Sequence, residues 1–411
     1  MRIAVLGAGV VGVASAYFLA RAGHIVTLVD RNPGAGEATS TGNGAIIHVS
    51  SVQPWSAPGM PKKILGWIGK DDAPFLLRLS AVPKMWRWGL DYLRHCNPER
   101  HAEGARHNLA LALESIDAIA EIRAETALSY DQAMHAVLKT YATTDALDAS
   151  EAAHMPLTQL GLRMRRLDRA AAVAMEPALG PVAEKIAGAL HFEQDEIGDC
   201  KKFSAALAAH TAQHLGLTLR LGVAVQGITT AGGQVTGLAT DQGPIAADAV
   251  VLAAGPWSAP LARQLGLRLP IWPVKGVSVT FPRDVWPDAP RMALLDDGRK
   301  FALTPLGDRL RIVGSAEIVA DFDTTPDPVR VNAIVQRSGE LFPQLPALAK
   351  DPRAVSWAGL RPVTPSGRPL IGPTKIRGLW LNTGHGHTGW TQAAGSGRRL
   401  ARMLASNEAA A

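Results

Sequence analysis

Ile3-Ala4-Val5-Leu6-Gly7-Ala8-Gly9-Val10-Val11-Gly12 stands at the head of the chain, and Ile25-Val26-Thr27-Leu28-Val29-Asp30 follows a short way on. The unbroken apolar run 3–6, ended by glycines, reads as a buried parallel strand. Gly7, Gly9 and Gly12 then form a G-x-G-x-x-G turn: Gly7 for the tight turn, Gly9 for backbone approach to a pyrophosphate, Gly12 for close helix–strand packing. Ala16, Leu19 and Ala20 give the next helix an apolar face, and Gly23 is its C-terminal cap. Val10 and Val11 open that helix, where free N–H groups and the positive dipole end favour phosphate. Asp30 closes the second strand, where a carboxylate accepts ribose hydroxyls and repels a 2′-phosphate. Arg31 beside it is counted with the cofactor-binding residues. The glycine pattern alone is a weak signal, but with both strands, the helix and the terminal acid it predicts a dinucleotide site.

The pattern does not continue as a nicotinamide-type domain, which would alternate strand and helix to complete six parallel strands. After Asp30 comes Arg31-Asn32-Pro33 and a small-residue loop, Ser40-Thr41-Gly42-Asn43-Gly44-Ala45. Much later, Asp248–Ala254 forms another buried strand ending at Gly255, and Leu379–Asn382 leads into Gly384-His385-Gly386-His387-Thr388-Gly389-Trp390 and a last helix to about Ala405. Val225, in the apolar run 223–228, offers backbone N–H and C=O to an adenine. A cofactor domain gathered from the start, middle and end of a chain suits a long, extended molecule such as FAD, held without a covalent bond. The expected fold class is α/β: a glutathione-reductase-type FAD-binding Rossmann domain (1–50, 196–270 and 350–411) interleaved with a substrate domain (51–195 and 271–349) of antiparallel sheet plus helices. Segments 136–142, 188–193, 276–281 and 309–314 read as strands of that sheet. A long amphipathic helix is expected over about 99–126, capped at Asn97-Pro98.

The βαβ unit, the Ala253-Ala254-Gly255 strand end and the C-terminal Gly-His-Gly loop resemble the D-amino-acid oxidase group of flavoproteins, and within it the bacterial D-amino acid dehydrogenases of small-subunit type. The similar stretches are Pro273–Gly276, Gly314–Glu317, Trp357–Pro365, Asn382–Gly386 and Gly389–Thr391. The chain departs from the pattern at His387-Thr388, where Thr-Leu is expected, and at Ser366, where Asp is usual, which leaves substrate identity open. The resemblance implies oxidation of D-amino acids, or of cyclic D-imino acids such as D-proline and D-hydroxyproline, with electrons passed to a quinone or respiratory acceptor. An oxygen-using glycine, sarcosine or D-amino acid oxidase is the alternative, and a flavin-dependent tRNA-modifying enzyme a remote one.

Such chemistry needs the substrate carboxylate clamped and the Cα–H aimed at the flavin. Arg361 in Gly359-Leu360-Arg361-Pro362 is the candidate clamp, because a guanidinium matches a carboxylate bidentately; the resemblance places a clamping Arg in this motif. Gly384, Gly386, Thr388 and Gly389, ahead of the last helix, are expected to present N–H groups and dipole to charge developing on the flavin. Ala254 and Gly255 complete the cofactor wall. His385 and His387 are candidate catalytic residues whose plainer role is hydrogen bonding to cofactor or backbone. No Cys, Asp or Glu lies near them to complete a metal shell, and no metal site is expected. The resemblance further implies that Ser40, Thr41, Asn43 and Gly44 face the pyrophosphate and isoalloxazine. Lys275 and Glu317 match the pattern without an assignable role.

Composition narrows the rest. The 411 residues include two cysteines, Cys96 and Cys200, so no disulfide framework exists, and both read as free thiols. The net charge of +6 is concentrated: Pro61–Arg100 holds eight Lys/Arg against four Asp/Glu, a local +4, beside Trp55, Trp67, Trp86 and Trp88. Trp with Lys and Arg over 53–94 fits either a segment lying on anionic lipid or a subdomain burying its tryptophans. The small charge excess and the lack of an RNA-binding module argue against nucleic acid as a partner. No apolar run reaches the ~18 residues of a membrane span, and the N-terminus lacks signal-peptide features. The expected location is cytoplasmic, or peripheral on the cytoplasmic face of the inner membrane; the oligomeric state is not legible.

Overall fold

The computed structural model describes residues 1–67 and 69–409. Ile68 of the Trp-rich stretch and the last two residues of the Ala-rich tail 406–411 lie outside the described residues.

The opening strand, Arg2–Leu6, lies inside a six-stranded sheet ordered Thr218–Leu221, Ile25–Asp30, Arg2–Leu6, Ala249–Leu252, Leu379–Thr383 and Leu370–Pro373. The first five run parallel and the last is antiparallel. Ile3 sits between Val26 and Ala249, so strands from the start and the middle of the chain are in register where the glycine turn begins. Both faces of the sheet are covered, which is why its central strands are apolar without alternation. Helices Val10–Arg21, Cys200–Leu215 and the last helix, Gly389–Ala409, cover one face with Val13, Tyr17, Phe203, Leu207 and Leu400. A small antiparallel sheet, Val225–Ala231, Gln234–Thr240 and Ile245–Ala246, packs Ile228, Val235 and Leu238 on the other.

Gly7 has φ +111°, a conformation that costs an L side chain, and a Cβ there would stand 2.6 Å from the Ala253 carbonyl oxygen. At Gly12 a Cβ would stand 1.8 Å from the Gly7 carbonyl oxygen, so the helix can approach its own strand only with glycine there.

A nine-stranded sheet forms the second half. Its path runs Val355–Val363, Trp272–Pro282, Arg309–Ile318, Phe301–Leu306, Ala293–Asp296, Val137–Tyr141, Gly188–Phe192, Met164–Asp168, with Phe75–Leu77 beside Arg309–Ile318. It is antiparallel except where Ala293–Asp296 meets Val137–Tyr141 and where Phe75–Leu77 pairs. Val355–Val363, expected with the cofactor segments, is hydrogen-bonded into this sheet from Trp272↔Val363 to Thr280↔Val355. That ladder carries Arg361 away from the parallel sheet and faces it back toward the glycine turn.

The long helix spans Pro98–Thr126, and the Asn97 side chain accepts from the Arg100 N–H at 3.0 Å, closing the first turn. The Trp-rich stretch divides its residues between core and surface. Helix Val82–His95 buries Met85, Trp88 and Tyr92, and the Trp88 Nε1–H donates to the Val363 carbonyl at 3.0 Å. Its other face leaves Val82, Trp86, Leu90 and Leu93 exposed, Trp86 at 54%.

Replacing Gly12 with Ala inserts a methyl where no space exists. The expected outcome is a fall of at least several degrees in Tm and loss of the yellow cofactor on gel filtration; unchanged Tm and flavin content would show that the turn tolerates a side chain.

Candidate active site

A cleft of about 490 Å³ runs between the two sheets, from the glycine turn to Arg361. Of the sequence-predicted residues, Gly7, Gly9, Val10, Val11, Asp30, Arg31, Ser40, Asn43, Gly44, Val225, Ala254, Gly255, Arg361, Gly384, His385, Gly386, His387 and Gly389 all line it. Three stand behind the wall. Gly12 packs against the turn. The Thr41 hydroxyl donates to the Gly36 carbonyl at 2.8 Å. Thr388 is buried, its hydroxyl bonded to the His385 carbonyl at 2.9 Å and Gln392 Oε1 at 3.0 Å, so it braces the Gly-rich loop.

At one end the Asp30 carboxylate is held by the Ala8 N–H at 2.7 Å and by the Asn32 backbone and side chain at 2.8 and 3.0 Å. A carboxylate has about four lone-pair sites, so capacity for a ribose remains. Ser40 Oγ accepts from the Val10 N–H at 3.1 Å, capping the first turn, and leaves its own proton to donate. The Arg31 guanidinium lies 4.3 Å from the centre of the Trp257 ring. Ahead of the last helix, Gly384 and Gly386 have φ of +79° and +56°, and the Gly386 N–H is bonded to the Pro362 carbonyl at 2.9 Å. This bond joins the loop to the strand that carries Arg361. The fit to FAD is direct: a strand-end carboxylate for ribose, a glycine-rich turn at a helix start for pyrophosphate, and a second helix start beyond it. His385 Nε2 and Asn382 Oδ1, both on cleft-lining residues, are buried polar atoms without a hydrogen-bond partner among the described residues.

At the other end stands Arg361. Its side chain lies across Gly276, where a Cβ would sit 2.1 Å from Nη1 and 2.5 Å from Cζ. Nη1 donates to the Ser315 carbonyl at 3.2 Å, and the Trp55 ring centre is 5.6 Å from Cζ. Among the described residues no carboxylate comes within 4.0 Å of it. Burial pulls the guanidinium down to about 10, so it stays charged at neutral pH with its charge unanswered. The Trp357 ring is slotted where Cβ atoms on Gly42 and Gly359 would come within 2.4 and 2.0 Å of it.

His387 stacks on Trp55, ring centres 4.9 Å apart and planes 11° apart, and donates from Nε2 to the Ser51 carbonyl at 3.0 Å. His48 meets His387 edge-on at 6.5 Å. Burial lowers His385 and His48 to about 3 and His387 to about 4. Bases this weak are poorly matched to proton abstraction at neutral pH; as neutral rings they build walls and hydrogen bonds. Cys200 is fully buried, its thiol pushed up to about 12, which makes it inert.

Trp55, His48, Gly276 and Ser315 were not assigned to the site from sequence. Trp55 was visible only as part of a basic, Trp-rich surface candidate, and Gly276 only as part of a motif.

A family model described as FAD dependent oxidoreductase matches residues 2–403. A D-amino acid dehydrogenase of Paramagnetospirillum magneticum is 44% identical, covering 100% of this chain and 96% of the relative. A D-amino acid dehydrogenase of Rhizobium rhizogenes is 42% identical over 100% and 97%. The crystal structure of glycine oxidase from Geobacillus kaustophilus superposes with a TM-score of 0.75 at 23% identity, over 98% of this chain and 95% of that one, a likeness of fold.

The depressed His387 has a consequence for stability. As pH falls below the ordinary value of 6.5 the unfolded chain binds a proton that folded His387 refuses until about 4, so stability is lost across that window. Above pH 6.5 the contribution vanishes. A His387→Asn variant is expected to lose less Tm than the parent between pH 7.5 and 4.5; parallel Tm curves would contradict the assignment.

Proposed function

The chain belongs to the family of FAD-dependent oxidoreductases, and from that membership we propose that it acts as a D-amino acid dehydrogenase, deaminating D-amino acids oxidatively. The observation that carries the reading is Arg361, a guanidinium without a counter-ion among the described residues, at the far end of a cleft that begins at a dinucleotide turn. Relatives of matching length bearing that name support the substrate class.

Bound FAD supplies the two-electron oxidant for the Cα–H bond. The chain's residues do the remainder. Arg361 takes the substrate carboxylate bidentately and so fixes Cα. Its positive charge, in a cleft walled by Trp55 and His387, lowers the pKa of the substrate ammonium, so the neutral amine required for oxidation forms without a dedicated base. The Gly-rich loop and the start of helix Gly389–Ala409 would hold the cofactor edge on which negative charge develops. The imine product hydrolyses in water to a 2-oxo acid and ammonia. Cyclic D-imino acids such as D-proline and D-hydroxyproline meet the same requirements.

Electrons pass to a quinone or other respiratory acceptor, with the protein resting on the cytoplasmic face of the inner membrane. The exposed face of helix Val82–His95 supports this: Val82, Trp86, Leu90 and Leu93 face outward, and Lys84, Arg87, Arg263 and Arg268, with Asp91, line a groove at Trp86. No helix among the described residues is long and apolar enough to cross a membrane.

Anaerobic mixing with D-amino acids, D-proline or D-hydroxyproline is expected to bleach the bound flavin, with reoxidation faster by a soluble quinone than by oxygen. No bleaching by any of them sinks the reading, and faster reoxidation by oxygen makes the protein an oxidase. Arg361→Ala should raise KM about 10- to 100-fold while flavin stays bound, the loss expected for a charged hydrogen-bonded contact. Co-sedimentation with vesicles of phosphatidylcholine and phosphatidylglycerol, absent with phosphatidylcholine alone, should be lost in Trp86→Ala/Leu90→Ala. Equal binding of parent and variant would remove this helix from the contact.

A further inference from the structure

Beneath Arg361 the sheet is irregular. Strand Trp272–Pro282 pairs Lys275 with Glu317 and Val277 with Gly314, so one residue, Gly276, faces two, Ser315 and Ala316. This is a β-bulge, a device that re-aims the backbone locally. Ser315 takes φ +69°, a conformation an L residue holds only where its surroundings insist on it. The result is that its carbonyl meets Arg361 Nη1 at 3.2 Å while Gly276 leaves the guanidinium room to lie flat.

From the other side Ser315 is held by Arg330. That side chain is fully buried, its Nη2 bonded to Ser315 Oγ and its Nη1 to the Asp71 and Ala73 carbonyls at 2.6 and 2.5 Å. Its charge is answered by Glu317, whose Oε2 lies 4.0 Å from Nε and whose Oε1 takes Arg78 Nε at 2.5 Å. A fully buried arginine is costly, and here it grips the strained residue whose carbonyl meets Arg361.

We propose that Ser315 and Arg330 are positioning residues for Arg361: Arg330 clamps the bulge through Ser315 Oγ, and the clamped Ser315 carbonyl sets the guanidinium for the substrate carboxylate. The inference rests on Arg361 being the carboxylate anchor. It also gives Glu317 a role, as the counter-ion that makes the clamp tolerable, and it ties the anchor to residues 71–73 of the Trp-rich stretch.

Ser315→Ala removes the gripped hydroxyl and leaves the carbonyl. Ser315→Gly does the same in a residue at ease with positive φ, which covers the case in which the Ala variant folds poorly. Arg330→Lys keeps charge but loses the fork. Each holoenzyme is assayed for KM and kcat with its best D-amino acid. Each is also assayed for binding of propionate, a bare carboxylate read by perturbation of the flavin spectrum. KM and the propionate Kd should rise together by about 3- to 10-fold, the size of one hydrogen bond's effect, with kcat changed less than twofold and flavin retained. KM and propionate binding unchanged in Ser315→Ala and Ser315→Gly overturn the proposal, whatever happens to Tm, because a merely structural clamp would move only Tm. If Arg361→Ala itself leaves KM unchanged, the underlying reading of the anchor has failed. If Arg361→Ala raises KM while the Ser315 variants are silent, only the positioning inference has failed.

Discussion

A positive charge without a partner governs this molecule. Arg361 is held charged in a cleft between two sheets, with a backbone carbonyl and an aromatic ring for company and no carboxylate within reach among the described residues. Such a group is expensive to bury, and the cost is offset only when an anion arrives. The surroundings maintain that condition. Gly276 gives the guanidinium its space, Trp88 anchors the end of its strand at Val363, and the Gly386–Pro362 bond joins that strand to the loop heading the last helix. In the proposed reading, a substrate carboxylate enters a place where a fixed charge awaits it, on the strand tied to the Gly-rich loop.

The chain's order follows from the need to face that charge toward a cofactor. Strands from residues 2–30, 218–252 and 370–383 build one sheet, and the strand bearing Arg361 leaves for the other sheet just before the chain returns. The glycine turn and Arg361 thus come from opposite walls of one cleft. The same interleaving leaves no Pro- or Ser-rich linker to mark a boundary in the sequence.

The βαβ unit was legible because its signals are local: an apolar run, three glycines at fixed spacing, an acid at a strand end. The Asn97 cap was legible for the same reason. Arg361 was legible as a guanidinium in the motif Gly359-Leu360-Arg361-Pro362, although its strand proved to belong to the larger sheet, a matter of long-range pairing with Trp272–Pro282. Thr41 and Thr388 show the limit in the other direction: hydroxyls next to cofactor-facing residues turn inward to brace the loops. Trp55 was hidden by its neighbours, since a tryptophan in a basic stretch looks alike whether it ends in lipid, core or active site. His48 carries no local signal, and Gly276 and Ser315 stand out only as members of the similar stretches Pro273–Gly276 and Gly314–Glu317. Their part arises from a bulge, a stacked ring and a side chain crossing from another strand, each fixed only when distant segments meet. The tryptophan-rich stretch buries Trp88 and turns Trp86 outward on one helix, a division its composition does not reveal.

Crystals of the FAD-bound enzyme with a non-reacting amino-acid analogue that keeps the α-carboxylate test the proposed role of Arg361 most directly. The carboxylate is expected to pair bidentately with Arg361 at about 2.7–2.9 Å, with the guanidinium still flat against Gly276. A carboxylate seated elsewhere in the cleft, with Arg361 touching only Ser315, would contradict it.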